Sequence, residues 1–256
     1  MSYTIAITGK GGVGKTTVAA LTVSRLIARG CRPVLAVDAD PNTCLDAVLG
    51  VKVQKTIGRV REEAREIAGK GMSAGVSKQE LLEMKISESL VEADNFDLIA
   101  MGRPEGPGCY CYANNVLKQA IQSIADNYAY VVIDNEAGLE NLSRRIVQKV
   151  DLMLIVADPS RRGMETMARL HELAGEMGVG YGKLAMVVNR LRRDELPIGA
   201  AELKQQLKAD YLVGLPDNVQ LSECDEDGSS LGGLPPDNEV VKRIDALLAE
   251  AGVINK

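Results

Sequence analysis

The sequence predicts an α/β fold, a mostly parallel β-sheet flanked by helices on both faces. Three observations predict it. Near-continuous apolar runs recur along the 256 residues, among them Tyr130-Val-Val-Ile133, Leu152-Met-Leu-Ile-Val-Ala157 and Leu184-Ala-Met-Val-Val188. Stretches of helical character lie between the runs. The runs end on polar residues, here Asp134, Asp158 and Asn189. Strands that are apolar throughout belong to a sheet covered on both faces. Such sheets bind ligands at the carboxyl ends of their strands, where these polar residues fall. The chain, 1–256, reads as a single domain with a large core.

The elements follow in order. Tyr3-Thr-Ile-Ala-Ile-Thr8 is a β-branched first strand. Thr16 to Arg29 reads as a helix, closed by Gly30, because glycine accepts the left-handed backbone that often ends a helix. Arg32 to Val37 is the second strand and leads into Asp38. The stretch 53–92 breaks the alternation. It is rich in Arg, Glu and Lys and carries Gly69, Gly71 and Gly75, so it predicts a charged helical insertion with helices over Ile57–Ala68 and Lys78–Glu92. Phe96 to Met101 is the third strand and Ala113 to Asp126 a helix. The three runs named above follow, then Tyr211-Leu-Val-Gly-Leu215 ending at Pro216, and a last helix over Asn238–Gly252.

Between the first strand and its helix lies Gly9-Lys10-Gly11-Gly12-Val13-Gly14-Lys15-Thr16-Thr17. Strand, glycine loop and helix form the setting of a phosphate-binding loop. Its backbone N–H groups surround phosphate oxygens, and the helix N-terminus faces the anion. Lys15 then reaches the β- and γ-phosphates, and the Thr16 hydroxyl serves Mg²⁺. Lys10 is not needed for any of this. An extra cation in the loop points to a second nucleotide nearby, and so to a second copy of the chain.

Two acidic segments face this loop. Asp38-Ala39-Asp40-Pro41 follows the second strand and suits Mg²⁺ coordination and positioning of an attacking water. A turn-initiating Asp-Pro pair is the alternative. Asp134 ends an apolar strand, as a further Mg²⁺ ligand would. Gly138 would let a backbone N–H approach the γ-phosphate.

The cysteines give the second strong signal. Gly106-Pro-Gly-Cys109-Tyr-Cys111-Tyr112 follows the third strand. In extended backbone both sulfurs would share one side, with Tyr110 and Tyr112 opposite. A helix follows, and a helix N-terminus favours the metal-binding thiolate. Two thiolates do not complete a metal site, but two copies meeting on a two-fold axis would supply four. Buried structural cysteines are the alternative. Cys31, Cys44 and Cys224 read as structural, and His171 as an exposed helix residue.

Lys10, the Asp38-x-Asp40-Pro41 element and the Asp134-x-x-x-Gly138 element together resemble the deviant-loop ATPases of the MinD, ArsA and nitrogenase iron-protein group. That resemblance covers nearly the whole chain. It implies a P-loop NTPase that dimerises around two ATP molecules, each Lys10 reaching the partner's nucleotide. It implies Asp40 as the water-positioning residue, and Asn189, Pro216 and Asp217 as contacts to adenine. Asn135-Glu136 departs from the Thr-containing sequence of most members. The cysteine motif, with Asp134-Asn-Glu-Ala-Gly138-Leu-Glu-Asn-Leu-Ser-Arg144, is similar to the CooC family of nickel-insertion ATPases. That likeness implies an ATPase that binds one Ni²⁺, or Zn²⁺ in its place, through Cys109 and Cys111 of two subunits. The client would be apo carbon monoxide dehydrogenase or a related acetyl-CoA synthase. The family's metal site has no histidine ligand, in keeping with one histidine in the chain.

Composition bounds the rest. A net charge of −5 argues against broad binding to nucleic acid or an anionic membrane. No apolar run is long enough to span a bilayer, and the chain opens on a strand rather than a signal peptide, so a cytoplasmic location is expected. Five cysteines without an export signal predict reduced thiols. Two other functions compete with nickel delivery. An iron–sulfur carrier or reductase could hold a cluster on four thiolates, although the iron protein's second cysteine has no counterpart between Asp134 and Arg145. A partition or cell-positioning ATPase is disfavoured by the acidic balance and by a last helix without a basic face.

Overall fold

The computed structural model describes residues 2–60, 62–63, 78–103, 110–137 and 149–255; of residues 78, 79, 81–83, 110–115 and 149 it describes the backbone alone. Among the described residues, eight strands form one sheet in the order β3-β4-β2-β5-β1-β6-β7-β8. They are β1 (Tyr3–Gly9), β2 (Val34–Asp38), β3 (Val91–Glu92), β4 (Asp97–Ala100), β5 (Tyr130–Asp134), β6 (Lys149–Ala157), β7 (Gly180–Leu191) and β8 (Tyr211–Pro216). Every pairing is parallel except β3 with β4. The predicted α/β class is therefore the observed one.

Side-chain alternation explains the unbroken apolar runs. Ile5 and Ile7 of β1 face one core and Ala6 the other; Leu152 and Leu154 of β6 oppose Met153 and Ile155 in the same way. The first core lies under α1 (Lys15–Ala28) and the last helix, α8 (Glu239–Glu250). The second lies under α5 (Arg161–Glu176). A third, around Leu35, Val37 and Ile133, lies under α4 (Tyr110–Ile124). Also helical are α2 (Leu45–Leu49), α3 (Lys78–Ser87), α6 (Ala200–Leu207) and α7 (Val219–Asp227). With a single phenylalanine and no tryptophan, the cores rest on aliphatic side chains. Each one fully buried contributes about 1.5–3 kcal/mol.

Three sequence-based boundaries are corrected. The second helix of the insertion stops at Ser87, and Val91–Glu92 is a strand, antiparallel to β4 at the sheet edge. Its side chains read as the end of a charged helix because a two-residue edge strand needs little apolar surface. Helix α4 starts at Tyr110, not Ala113, so Tyr110, Cys111 and Tyr112 are helical rather than extended. Strand β7 runs on past Val188 to Leu191, where Leu191 pairs with Pro216 across a register shift. Within the insertion, residues 57–60 are helical as expected, and residues 64–77 lie outside the described residues.

Candidate nucleotide site

The parallel strands bring the expected residues to one edge of the sheet. Asp38 and Asp134 are register partners across β2 and β5. Ile7 pairs with Asp134 on one side of β1, and Gly9 with Val156 on the other. The loop leaves β1 at Gly9, where a Cβ would lie 2.3 Å from Val156 O; only glycine permits that approach. Val13 is buried and anchors the loop in the core, while Gly11 and Gly12 are exposed. Gly14 caps α1 with φ 92°, and a Cβ there would meet Asn189 Nδ2 at 2.3 Å. The first turn of α1 holds no acidic residue, so its positive end meets no carboxylate of its own. Thr17 lines a cavity of about 90 Å³ with Ala47, Val48 and Leu221.

The two lysines of the loop differ sharply. Lys15 is buried and its Nζ donates to Lys10 O at 3.3 Å. Burial pulls its pKa down, and the charges of Asp134, Asp40 and Glu136 oppose that pull. Lys10 is exposed. Its charge, after a hydrogen bond involving Ser160, helps hold the Asp158 carboxyl below the usual range.

Of the carboxylates, Asp134 fits a metal-linked role. It is 1% exposed, and its Oδ1 has no hydrogen-bond partner among the described residues. Burial pushes its pKa up to about 7, against the lowering effect of a hydrogen bond with Thr16 and the charge of Lys15. A buried acceptor beside a threonine hydroxyl is the donor set that hydrated Mg²⁺ requires. Asp38 holds the turn that follows β2. Its Oδ1 accepts from Asp40 N at 3.0 Å, and its Oδ2 from Cys44 N at 2.9 Å and Leu45 N at 3.0 Å. Both oxygens are thus committed to backbone, and burial raises its pKa to about 6. Asp40 is half-buried, and its Oδ1 accepts from the backbone N–H and the Nδ2 of Asn42. Arg103 in turn donates to Asn42 Oδ1.

On the other side of β1, Asn189 Nδ2 donates to Val13 O at 2.9 Å. Pro216 and Asp217 stand at the end of β8, with the Asp217 N–H on Leu191 O. Two residues here were not singled out from the sequence for the contacts they make. Asn135 is buried and its Nδ2 donates to Ile7 O at 2.9 Å, joining β5 to β1 at the site. Arg190 Nη1 donates to Gly12 O at 3.0 Å. The only local signal for either is a polar residue beside a strand-ending Asp or Asn.

Gly138 and Cys109 lie outside the described residues, and Cys111 is placed by its backbone on the first turn of α4. Among the described residues, no group of three or more His, Cys, Asp or Glu could hold a metal ion. Cys44 is exposed beside the Asp38 turn, not buried as a structural thiol, whereas Cys31 and Cys224 pack partly against the main core. His171 is half-buried with Nε2 2.9 Å from the Tyr181 hydroxyl, so it is not a free surface residue. No described helix is long and apolar enough to cross a membrane.

A strand, a glycine loop with a buried lysine, a threonine hydroxyl and a buried carboxylate are the groups that a phosphate and a hydrated Mg²⁺ call for. The family model AAA_31, an AAA domain, matches residues 2–178. The chain belongs to the AAA_31 family. An uncharacterized ATP-binding protein of Methanocaldococcus jannaschii is 41% identical over 98% of this chain and 98% of its own length. The carbon monoxide dehydrogenase accessory protein CooC of Rhodospirillum rubrum is 29% identical over 91% of this chain and 90% of its own. The solved structure of the septum site-determining protein MinD of Pyrococcus horikoshii, complexed with Mg-ADP, superposes with a TM-score of 0.69 at 21% identity. It covers 100% of this chain and 97% of its own. The AAA_31 chain described here thus has the MinD-type P-loop ATPase fold.

Proposed function

We propose that this P-loop ATPase is an ATP-dependent nickel carrier that works as a homodimer. The observation that carries the reading is the likeness to CooC. It extends over 91% of the chain, and the Cys109-Tyr-Cys111 segment adds the thiols that such a metal site would use. ATP binds with its phosphates in the loop Gly9–Thr17, against Lys15. Mg²⁺, when bound between Thr16 and Asp134, offsets the charge of the β- and γ-phosphates. Asp40 orients the attacking water, and Gly138 approaches the γ-phosphate. Asn189, Pro216 and Asp217 hold adenine; the Asn189 amide oxygen accepts from the exocyclic amine while its Nδ2 stays on Val13.

Lys10, exposed at the loop, reaches the nucleotide of the second copy. Closure of the dimer brings Cys109 and Cys111 of both copies onto one Ni²⁺, or onto Zn²⁺ in its place. Hydrolysis opens the site and releases the ion to apo carbon monoxide dehydrogenase or a related acetyl-CoA synthase. The chain of contacts Arg103–Asn42–Asp40 supports such coupling, because it joins the loop that leads to the cysteines with the carboxylate that orients water. The acidic chain works in the cytoplasm, with no role for nucleic acid or membrane.

Nickel titration with sizing, with and without ATP, tests the reading. One Ni²⁺ per two protomers is expected, lost in Cys109→Ser, with dimerisation lost in Lys10→Ala. Stoichiometric nickel binding by Cys109→Ser would overturn the metal site, and normal ATP-driven dimerisation of Lys10→Ala the interface. A brown protein with a visible charge-transfer spectrum after anaerobic purification would point instead to an iron–sulfur cluster.

A further inference from the structure

Near its end strand β7 carries two residues that bond to the phosphate loop. Asn189 Nδ2 donates to Val13 O at 2.9 Å, and Arg190 Nη1 to Gly12 O at 3.0 Å. The acceptors are successive carbonyls of one loop. Consecutive side chains of a regular strand point to opposite faces, so both could not reach one loop. Two departures from regular geometry allow it. The pairing of β7 with β8 shifts register between Val188 and Leu191, and a bulge of this kind re-aims side chains. Arg190 itself has φ 60°, a left-handed conformation that is unfavourable for a residue with a Cβ. Such an outlier persists where its surroundings hold it, and it marks functional positions more often than others.

The grip has a consequence for the inner side of the loop. In a trans peptide the carbonyl and the N–H point in opposite directions. The Gly12 carbonyl shares its peptide plane with the Val13 N–H, and the Val13 carbonyl with the Gly14 N–H. Holding both carbonyls outward therefore turns those two N–H groups inward, where phosphate oxygens bind. We propose that Arg190 is a positioning residue for nucleotide binding, which with Asn189 sets the loop in its phosphate-accepting shape before the ligand arrives. Arg190 touches the loop and not the reacting atoms. Its contribution is to affinity, through order that the nucleotide would otherwise have to impose. The proposal rests on the family's ATP site and is independent of the nickel reading.

Glycine suits the left-handed backbone at 190, so Arg190→Gly removes the guanidinium while easing the local strain. The variant is expected to melt within a few degrees of wild type. Its Kd for Mg·ATP is expected to rise roughly tenfold, with KM following it and kcat within about twofold. Arg190→Met, which keeps the length and loses the donor, should match that loss. Arg190→Lys can still donate to the Gly12 carbonyl and should recover most of the affinity. Wild-type affinity in both Arg190→Gly and Arg190→Met would overturn the proposal, as would a lysine variant no better than methionine.

Discussion

The two sides of β1 divide the work of the site. On the side of β5 and β2, buried carboxylates gather: Asp134 and Asp38 are register partners, both almost fully buried, with pKa values raised by burial to about 7 and about 6. On the side of β6, β7 and β8 stand an amide and a guanidinium, Asn189 and Arg190, bonded to loop carbonyls. The first side gathers buried negative charge, which on the proposed reading serves a cation. The second supplies donors that fix backbone. The difference teaches that one phosphate loop needs two kinds of support, one electrostatic and one conformational. Loss of the first should strike turnover, and loss of the second should strike affinity.

The largest expected effect is on the carboxylate side. Asp134→Asn should lower ATP turnover roughly a hundredfold by weakening the hold on Mg²⁺, measured as phosphate release against Mg²⁺ concentration. The same change should alter the pH dependence of stability. Asp134 titrates near 7 when folded and near 3.8 otherwise, so between those values the folded chain keeps a proton that the unfolded chain has released. That contribution is full below the lower value and is lost as pH rises through the upper one. The nucleotide-free wild type should therefore lose stability from about pH 4 to about pH 8, and Asp134→Asn should flatten much of the fall. Asp38 retains the part of the slope nearer 6. Parallel melting profiles for the two proteins across that range would show that the buried charge is not the cause. A variant that bound nucleotide poorly yet turned over at the wild-type rate when saturated would erase the division between the two sides.

How far each side could be read from the sequence follows the same line. The carboxylate side was legible because each acid ends an apolar run, and strand ends in a parallel sheet fall on one edge. The glycine loop was legible for the same local reason. The bonds that Asp38 makes were not legible, since its partners, the N–H groups of Asp40, Cys44 and Leu45, come together only once α2 has formed. The amide side was harder. Asn189 and Val13 are 176 residues apart, and their contact depends on the order of β1, β6 and β7 in the sheet. The left-handed backbone of Arg190 has no local signature, because arginine is not a residue that favours it. Strand β3 escaped notice as well, being two residues long after a charged helix.

A middle-sized effect belongs to the amide side. Asn189→Ala removes the donor to Val13 O and leaves a buried carbonyl without that partner. Its Kd for ATP should rise roughly tenfold, while kcat at saturation stays within about twofold. Isothermal titration and steady-state kinetics on the same preparation separate the two quantities. A fall in kcat with unchanged affinity would place Asn189 with the carboxylates and break the comparison.

The smallest effect is expected at the far end of α1. There Arg25 Nε bonds Asp245 Oδ1 at 2.7 Å and Arg29 Nη2 bonds Oδ2 at 2.8 Å, tying α1 to α8. Burial works to raise the Asp245 carboxyl, but the two guanidiniums outweigh it and hold the group below its usual range. A carboxyl lowered on folding lends stability that is present above its unfolded pKa and lost as pH falls through the folded one. Asp245→Asn should cost roughly 1–3 kcal/mol at neutral pH, since two cations lose a charged partner in a half-dry contact. That cost should shrink in acid, and chemical unfolding at two pH values measures it. ATP affinity should stay unchanged, because the pair sits at the opposite end of the helix from Lys15 and Thr16. If Asp245→Asn weakened ATP binding tenfold, as Asn189→Ala is expected to do, conformational support of the loop would extend through the whole of α1 rather than belong to the β7 side.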